Sequence, residues 1–110
     1  MHEQITTYLE AYPAEVVSLF RTLRGLIYDS APAEPEEKLW AKLPSYCVGD
    51  AFVRLIPFRD HINVEAAAVP EYRDALDGYK ITPKGMLQIS VRQAVPDAVL
   101  MQIFRQTLSR

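Results

Sequence analysis

Side chains that could recognise a ligand or a partner alternate along three short segments of the chain. Aromatic, cationic and hydrogen-bonding groups recur there at every second residue, the period of one face of a β-strand. If helices cover the other face of the sheet, these groups form a recognition surface for a small acidic ligand or a partner protein. The residues are Trp40, Lys42, His61, Asn63, Glu65, Gln88, Ser90 and Arg92, and Arg54 joins them if its strand is phased that way.

A simpler interpretation is that these residues form the solvated face of an antiparallel sheet, which is normally polar. Trp40 favours recognition, because an indole on the wet face is either covered by another chain or used in binding. Pairing of two copies through this face, giving a homodimer, is one alternative. Lys80 and Lys84 add two cations in a loop over residues 78–85, and we include both among the candidate recognition residues.

Acidic residues form a second candidate site. Glu34, Glu36 and Glu37 lie close together before the first predicted strand. Carboxylate oxygens are the ligands that hard cations and iron accept, so these three residues are a candidate metal site. The ordinary role of such residues is solubility and matching of helix dipoles.

Motifs of common enzyme classes are absent. The chain has no GxGxxG, no GxxxxGK[ST], no CxxC pair and no HExxH. Cys47 lies in an apolar run, which is more typical of a small core residue than of a nucleophile. An acid–base pair of His61 and Glu65 would lie about 13 Å apart along one strand, too far for a direct hydrogen bond. An enzyme is therefore the least favoured of the alternatives, and a non-enzymatic binding protein is the first hypothesis.

Composition narrows the class of partner and the compartment. The 110 residues carry a formal charge of −2 and predict one domain, residues 1–110. No clustered basic patch exists for a phosphate backbone, so we expect no nucleic-acid partner. No run approaches the ~20 apolar residues of a membrane span, so we expect no membrane partner. Cys47 is the only cysteine, which excludes an internal disulfide and indicates a reducing, cytoplasmic location.

Helical periodicity dominates both ends of the chain. Apolar residues repeat at helical spacing from Ile5 to Tyr12, and Pro13 then begins a second, longer helix that fades near Ser30. Pro70 opens a third helix that ends before Gly78. The last helix begins at Pro96 or Asp97, with a predicted inward face of Leu100, Ile103, Phe104, Thr107 and Leu108.

Alternation with a period of two marks the strands between these helices. We predict short strands over residues 39–43 and 45–48, a Gly49-Asp50 hairpin, and a central strand over residues 51–58. In the first of these, Leu39, Ala41 and Leu43 share one face and Trp40 and Lys42 the other. Further strands are predicted at 61–65 and 87–91.

The predicted order is α-α-β-β-β-β-α-β-α. Strands joined by tight turns pair antiparallel, and helices segregated to one face give a two-layer α+β fold with about five strands.

Several segments resemble the YdhG-like family, a bacterial domain of about this length. The segments are TTYLEAYPAEVVSLFRTLRGLIYDSAPAEPEEKLWAKLPSY, FVRLIPFRDHINVE and YRDALDGYKITPKGMLQI. The matching positions are Tyr8, Leu9, Pro13, Glu15, Lys38, Pro44, Phe58, His61, Ile62, Tyr79, Lys80, Lys84 and Gly85. The chain departs from the family pattern at Lys42-Leu43, where a glycine is common, and at Ile81-Thr82-Pro83, where the loop is one residue longer.

The resemblance implies a frataxin-like two-layer fold. Some members are described as iron chaperones, so it also implies iron handled by surface carboxylates. For this chain, iron is the cofactor that the resemblance implies.

Overall fold

The computed structural model describes residues Met1–Arg110, and it places the helices on one face of an antiparallel sheet. The helical elements are α1 (Glu3–Leu9), α2 (Ala14–Ser30), a 3-10 helix (Val69–Leu76) and α3 (Asp97–Leu108). The strands are β1 (Glu36–Trp40), β2 (Leu43–Val48), β3 (Ala51–Pro57), β4 (His61–Ala66), β5 (Lys80–Ile81) and β6 (Leu87–Ser90). Their spatial order is β1-β2-β3-β4-β6-β5. The predicted α+β class is confirmed, with six strands instead of about five.

The long helices follow the predicted apolar stripes. Pro13 precedes the first turn of α2, and five stripe positions of that helix are buried: Val16, Leu19, Phe20, Leu23 and Ile27. All five residues of the predicted inward face of α3 are buried as well. None of the helices combines the length and the apolar character that a membrane crossing requires.

One hydrophobic core joins all the helical elements to a single face of the sheet. Buried side chains alternate along β3 and β4, where Val53, Leu55, Ile62 and Val64 point toward the helices. The opposite face carries no helix. We call it the open face, and the strand register assigns to it Glu36, Lys38, Trp40, Leu43, Ser45, Cys47, Phe52, Arg54, Ile56, His61, Asn63, Glu65, Lys80, Gln88 and Ser90.

The first strand differs from the prediction. It begins at Glu36 and ends at Trp40, and a two-residue turn at Ala41 and Lys42 leads into β2. Both turn residues have positive φ, 53° and 65°. Two consecutive positive φ values are the signature of a type I′ hairpin, usually made by Asn-Gly or Gly-Gly, so Ala-Lys gives no sequence signal for it. The predicted pairing of Lys42 with Trp40 on one strand face is therefore wrong.

Two further elements differ in detail. The helix predicted after Pro70 is a 3-10 helix with a non-helical break at Tyr72. The predicted loop over residues 78–85 contains the short strand β5, which pairs with β6 at the edge of the sheet. The Gly49-Asp50 hairpin forms as predicted, with Gly49 at φ 59°.

A buried carboxylate fixes the edge strand that carries Trp40. The Glu37 side chain is only 7% exposed. It accepts two hydrogen bonds from Arg24 of α2, Nε to Oε2 at 2.6 Å and Nη2 to Oε1 at 3.2 Å. The Tyr46 hydroxyl donates at 2.8 Å and the His2 backbone N–H at 2.6 Å. These bonds connect the start of α1, α2, β1 and β2 at one point.

The protonation of this carboxylate follows from its partners. Burial alone would raise the pKa of Glu37, but the hydrogen bonds from Arg24, His2 and Tyr46 outweigh it, and the pKa is lowered. Burial raises the pKa of the Tyr46 hydroxyl, and the nearby Glu37 carboxylate raises it further. Glu37 is therefore ionised and Tyr46 neutral at physiological pH.

Replacing Glu37 with Gln should lower the free energy of unfolding by about 2 kcal/mol at pH 7, because charge-assisted hydrogen bonds are lost in a nearly buried site. A group with a lowered folded pKa stabilises fully above its unfolded pKa, about 4.3, and this stabilisation is lost as the pH falls through the folded value. Urea unfolding of Glu37→Gln and wild type from pH 7 down to acid should therefore show the difference shrinking below about pH 4.

Glu36→Gln is the matched control. Glu36 is the neighbouring residue, points to the open face and has an exposed side chain. Its replacement should change stability by less than about 0.5 kcal/mol. Equal effects of the two substitutions would contradict the anchoring role of Glu37.

Candidate functional site

Two aromatic rings and a guanidinium stack on the open face. The rings of Trp40 and Phe52 meet edge to face, with centroids 5.4 Å apart and planes at 87°. The Arg54 guanidinium carbon lies 4.3 Å from the Trp40 ring centroid and 4.6 Å from that of Phe52. Trp40 belongs to β1 and Phe52 to β3, so the stack bridges β2 and helps to bury Ser45 beneath it. We call Trp40, Phe52 and Arg54 the aromatic stack.

Arg54 is the fixed centre of this stack. Its side chain is 16% exposed, and its Nη1 lies 3.3 Å from the Glu65 carboxylate on the neighbouring strand. Its Nε is buried and has no hydrogen-bond partner. A buried donor without a partner is costly. The ring contacts and the Glu65 pair offset that cost and hold Trp40 in one position.

A second aromatic contact lies at the turn between β3 and β4. Phe58 stacks on the His61 ring at a centroid distance of 4.5 Å and an angle of 11°. The Asp60 carboxylate lies 2.7 Å from Nδ1 of His61, and this hydrogen bond lowers the pKa of Asp60. Phe58 is 43% exposed and Trp40 46%. The open face and the adjoining β3–β4 turn therefore present two large exposed rings, each against a nitrogen-bearing side chain.

Five of the predicted recognition residues share the open face. Asn63 pairs with Gln88, and Gln88 pairs with Lys80 on the far side. His61 lies directly opposite Ser90. The amide oxygen Oδ1 of Asn63 is buried without a partner. Trp40, His61, Asn63, Lys80 and Gln88 thus belong to one surface, although nothing in the geometry alone assigns a ligand to them.

Three predicted residues lie off the strands of this surface. Lys42 occupies the β1–β2 turn, and Arg92 follows the end of β6. Lys84 lies in the hairpin between β5 and β6, which a hydrogen bond from Gly85 N–H to the Thr82 carbonyl closes. The expectation of strand positions for Lys42 and Arg92 is wrong, because both strands end earlier than the alternation indicates. The sequence predicts a loop position for Lys84, and the structure has Lys84 in the loop between β5 and β6.

The glutamates do not form the predicted metal site. Glu36 and Glu37 are consecutive strand residues, so they point to opposite faces of the sheet. The Glu37 carboxylate is already occupied by Arg24, Tyr46 and His2, and Glu34 lies outside the strand. No group of three or more His, Cys, Asp or Glu side chains could hold a metal ion. The prediction of a metal site at Glu34, Glu36 and Glu37 is therefore wrong.

Cys47 also differs from the prediction. It points to the open face, not into the helix-side core, and it is half-buried. Burial raises the pKa of its thiol. Cys47 shares a small cavity of about 150 Å³ with Trp40 and Phe52. A thiol that stays protonated beside two rings acts as apolar packing rather than as a nucleophile.

Sequence reasoning missed Phe52 and Phe58 and left the orientation of Arg54 open. The strand over residues 51–58 is apolar at nearly every position, so alternation gives no phase. The Gly49-Asp50 hairpin does give one, because a two-residue turn pairs Val48 with Ala51 and therefore Cys47 with Phe52. That turn sets Phe52 and Arg54 on the same sheet face as Cys47. Placing Trp40 on this face as well requires the β1–β2 turn at Ala41 and Lys42, which the sequence does not predict.

Comparison with known proteins gives this chain no relative: no family model, no curated protein and no solved structure matches it. The resemblance to the YdhG-like family therefore stays a prediction.

Arg54→Met should release Trp40 from its fixed position. The substitution keeps side-chain length but removes the cation–π contacts and the Glu65 pair, and we expect a loss of about 1 kcal/mol of stability. Steady-state fluorescence anisotropy of Trp40, the only tryptophan, should fall and its emission should shift to longer wavelength.

Arg92→Met removes the same charge from an exposed residue outside the aromatic stack, and it should leave both signals unchanged. Identical anisotropy in wild type and Arg54→Met would show that Arg54 does not hold the indole.

Proposed function

We propose that this chain is a non-enzymatic, cytoplasmic binding protein of YdhG-like type whose open face is its recognition surface, and that the surface pairs with a second copy of the chain. One observation carries the proposal. Trp40 is 46% exposed on a sheet face without helices, yet Arg54 and Phe52 hold its ring in place. A solvated sheet face has no need of a rigid, half-exposed indole.

The composition of the aromatic stack supports binding. Tryptophan and arginine are enriched among the residues that contribute most to protein–protein affinity. Such residues act best when the free protein already holds them in the bound geometry, because less conformational entropy is lost on association. The ring contact at 5.4 Å and the guanidinium at 4.3 Å supply that preorganisation for Trp40.

The charge pattern of the open face favours a second copy as the occupant. Four of its charged side chains form pairs within the face, Glu36 with Lys38 and Arg54 with Glu65, and Lys80 at the far edge is unpaired. A strongly acidic or basic partner would meet little uncompensated charge there. A second copy presents the same largely paired surface, so two faces can meet with little like-charge repulsion.

The size of the face sets the strength of this pairing. Six strands spaced by about 4.8 Å and two to seven residues long give a footprint of at most roughly 24 by 20 Å. This is smaller than the roughly 800 Å² per partner that stable interfaces bury. Two sheets packed face to face should therefore form a weak dimer, populated only at high protein concentration.

Other functions of the chain have less support. His61 and Glu65, the candidate acid and base, are engaged by Asp60 and Arg54 respectively. Iron, which the family resemblance implies, meets no converging set of carboxylates. Neither activity has a geometric observation in its favour.

Trp40→Glu tests the pairing, because it removes the exposed indole and places a carboxylate in the proposed contact on each copy. We expect sedimentation velocity to show wild type shifting from monomer to dimer as concentration rises, with Trp40 emission moving to shorter wavelength. In Trp40→Glu the dimer should weaken at least tenfold, the effect of losing a contact worth about 1.4 kcal/mol or more.

Gly25→Glu is the matched control. Gly25 is exposed on α2 with open space around it, so the substitution adds the same charge to the helix layer. It should dimerise like wild type. A wild-type chain that remains monomeric at millimolar concentration would overturn self-pairing, and so would a dimer that Trp40→Glu leaves intact.

A further inference from the structure

A cavity of about 480 Å³ opens beside the aromatic stack, at the end of the sheet where β3 begins and β4 ends. Its apolar wall comes from Ala51, Phe52, Ala66 and Pro70. Ligand pockets in proteins typically measure about 300–1,000 Å³ and are mostly apolar with a few polar groups. The cavity is therefore large enough for one small molecule but lies at the small end of that range.

The wall of this cavity is formed in the free protein. Gly85 has a φ of 85°, and a Cβ built on it would lie 3.4 Å from Cγ of Pro70, so the β5–β6 hairpin lies close against the 3-10 helix. On another side, the Thr107 hydroxyl of α3 accepts a hydrogen bond from Ala68 N–H at 3.1 Å. These contacts join α3, the 3-10 helix and the hairpin around one space before any ligand arrives.

Four charged residues line the cavity, and they divide into paired and free groups. Glu65 is paired with Arg54, and Arg110 is paired with Glu71. Asp50 and Lys84 form neither an ion pair nor a side-chain hydrogen bond. One carboxylate and one ammonium thus remain available at the rim of an otherwise apolar space.

We propose that this cavity binds a small zwitterion with an apolar body, of the class of a free α-amino acid. The ligand carboxylate meets the Lys84 ammonium, the ligand ammonium meets the Asp50 carboxylate, and the apolar side chain lies against Phe52, Ala66 and Pro70. A nucleotide or another polyanion would bring several negative charges to a site with one free cation, so this class fits poorly. The cavity shares Phe52 and Glu65 with the open face, but ligand binding there does not require self-pairing of that face.

Three probes separate the two charge contacts: L-phenylalanine, N-acetyl-L-phenylalanine, which lacks the ammonium, and L-phenylalaninamide, which lacks the carboxylate. Isothermal titration calorimetry on the full chain should give saturable heat with L-phenylalanine. Each analogue should bind about tenfold more weakly, the typical effect of losing one charge-assisted hydrogen bond.

Two substitutions assign each contact to its residue. Lys84→Gln should weaken L-phenylalanine about tenfold and remove the preference over the amide, because the carboxylate no longer has a partner. Asp50→Asn should likewise weaken L-phenylalanine about tenfold and remove its preference over N-acetyl-L-phenylalanine, because the ligand ammonium no longer has a partner. Arg73→Gln is the matched control, since Arg73 is an exposed cation on the 3-10 helix that forms no ion pair and does not line the cavity. It should bind all three probes like wild type.

Ala67→Leu tests the space itself. Ala67 lines the cavity and is exposed, so a larger side chain can fill the space without disturbing the core. Its far-ultraviolet circular dichroism should match wild type while L-phenylalanine binding is lost. The proposal is overturned if L-phenylalanine gives no saturable heat at millimolar concentration. It is equally overturned if Lys84→Gln and Asp50→Asn both bind with wild-type affinity, or if a folded Ala67→Leu does so. Sedimentation velocity of the same variants measures self-pairing separately, so a failure of amino-acid binding can be distinguished from a failure of dimerisation.

Discussion

Helices lie on one face of the sheet only, and this asymmetry requires the edge strand β1 to be held from the helix side. Glu37 provides that hold, because one carboxylate accepts hydrogen bonds from α2, from β2 and from the backbone before α1. An ionised group that is 7% exposed is stable only with such a full set of donors. Since Glu37 points inward, Trp40, three residues further along the strand, points outward. The position of the indole therefore depends on a contact on the other side of the sheet.

Arg54 on the open face resembles Glu37 on the helix side, because each is a largely buried charge held by its partners. Arg54 is largely buried although no helix covers it, because Trp40, Phe52 and Glu65 surround its guanidinium. Its Nε and the Oδ1 of Asn63 stay without partners. Buried polar atoms without partners are uncommon in folded proteins and tend to occur where structure serves more than stability. Both lie on the one surface that the helices leave uncovered.

The sequence predicted what depends on local periodicity. Apolar spacing located α2 and α3 to within a residue or two, and the Gly49-Asp50 turn set the pairing of β2 with β3. It did not locate the β1–β2 turn, because Ala41 and Lys42 adopt positive φ without the residues that usually do so.

The remaining differences arise where distant segments meet. Glu34, Glu36 and Glu37 are close together in the sequence. In the structure, Glu36 and Glu37 point to opposite faces of the sheet, and Glu37 is paired with Arg24. The cavity beside Phe52 brings together the β2–β3 turn, the end of β4, the β5–β6 hairpin and α3. Those segments are far apart along the chain, so no sequence motif could indicate that Asp50 and Lys84 line one cavity. Only their placement by the fold shows it.

Phe52 connects the two surfaces physically. Phe52 makes an edge-to-face contact with Trp40, and it also lines the cavity of about 480 Å³. Glu65 has a similar double position, paired with Arg54 and lining the same cavity. A molecule in the cavity touches residues that also support the indole, so its binding free energy must differ between arrangements of the aromatic stack whenever it displaces Phe52. By reciprocity, a partner whose affinity for the stack changes when the cavity is filled must change the affinity of the cavity by the same factor.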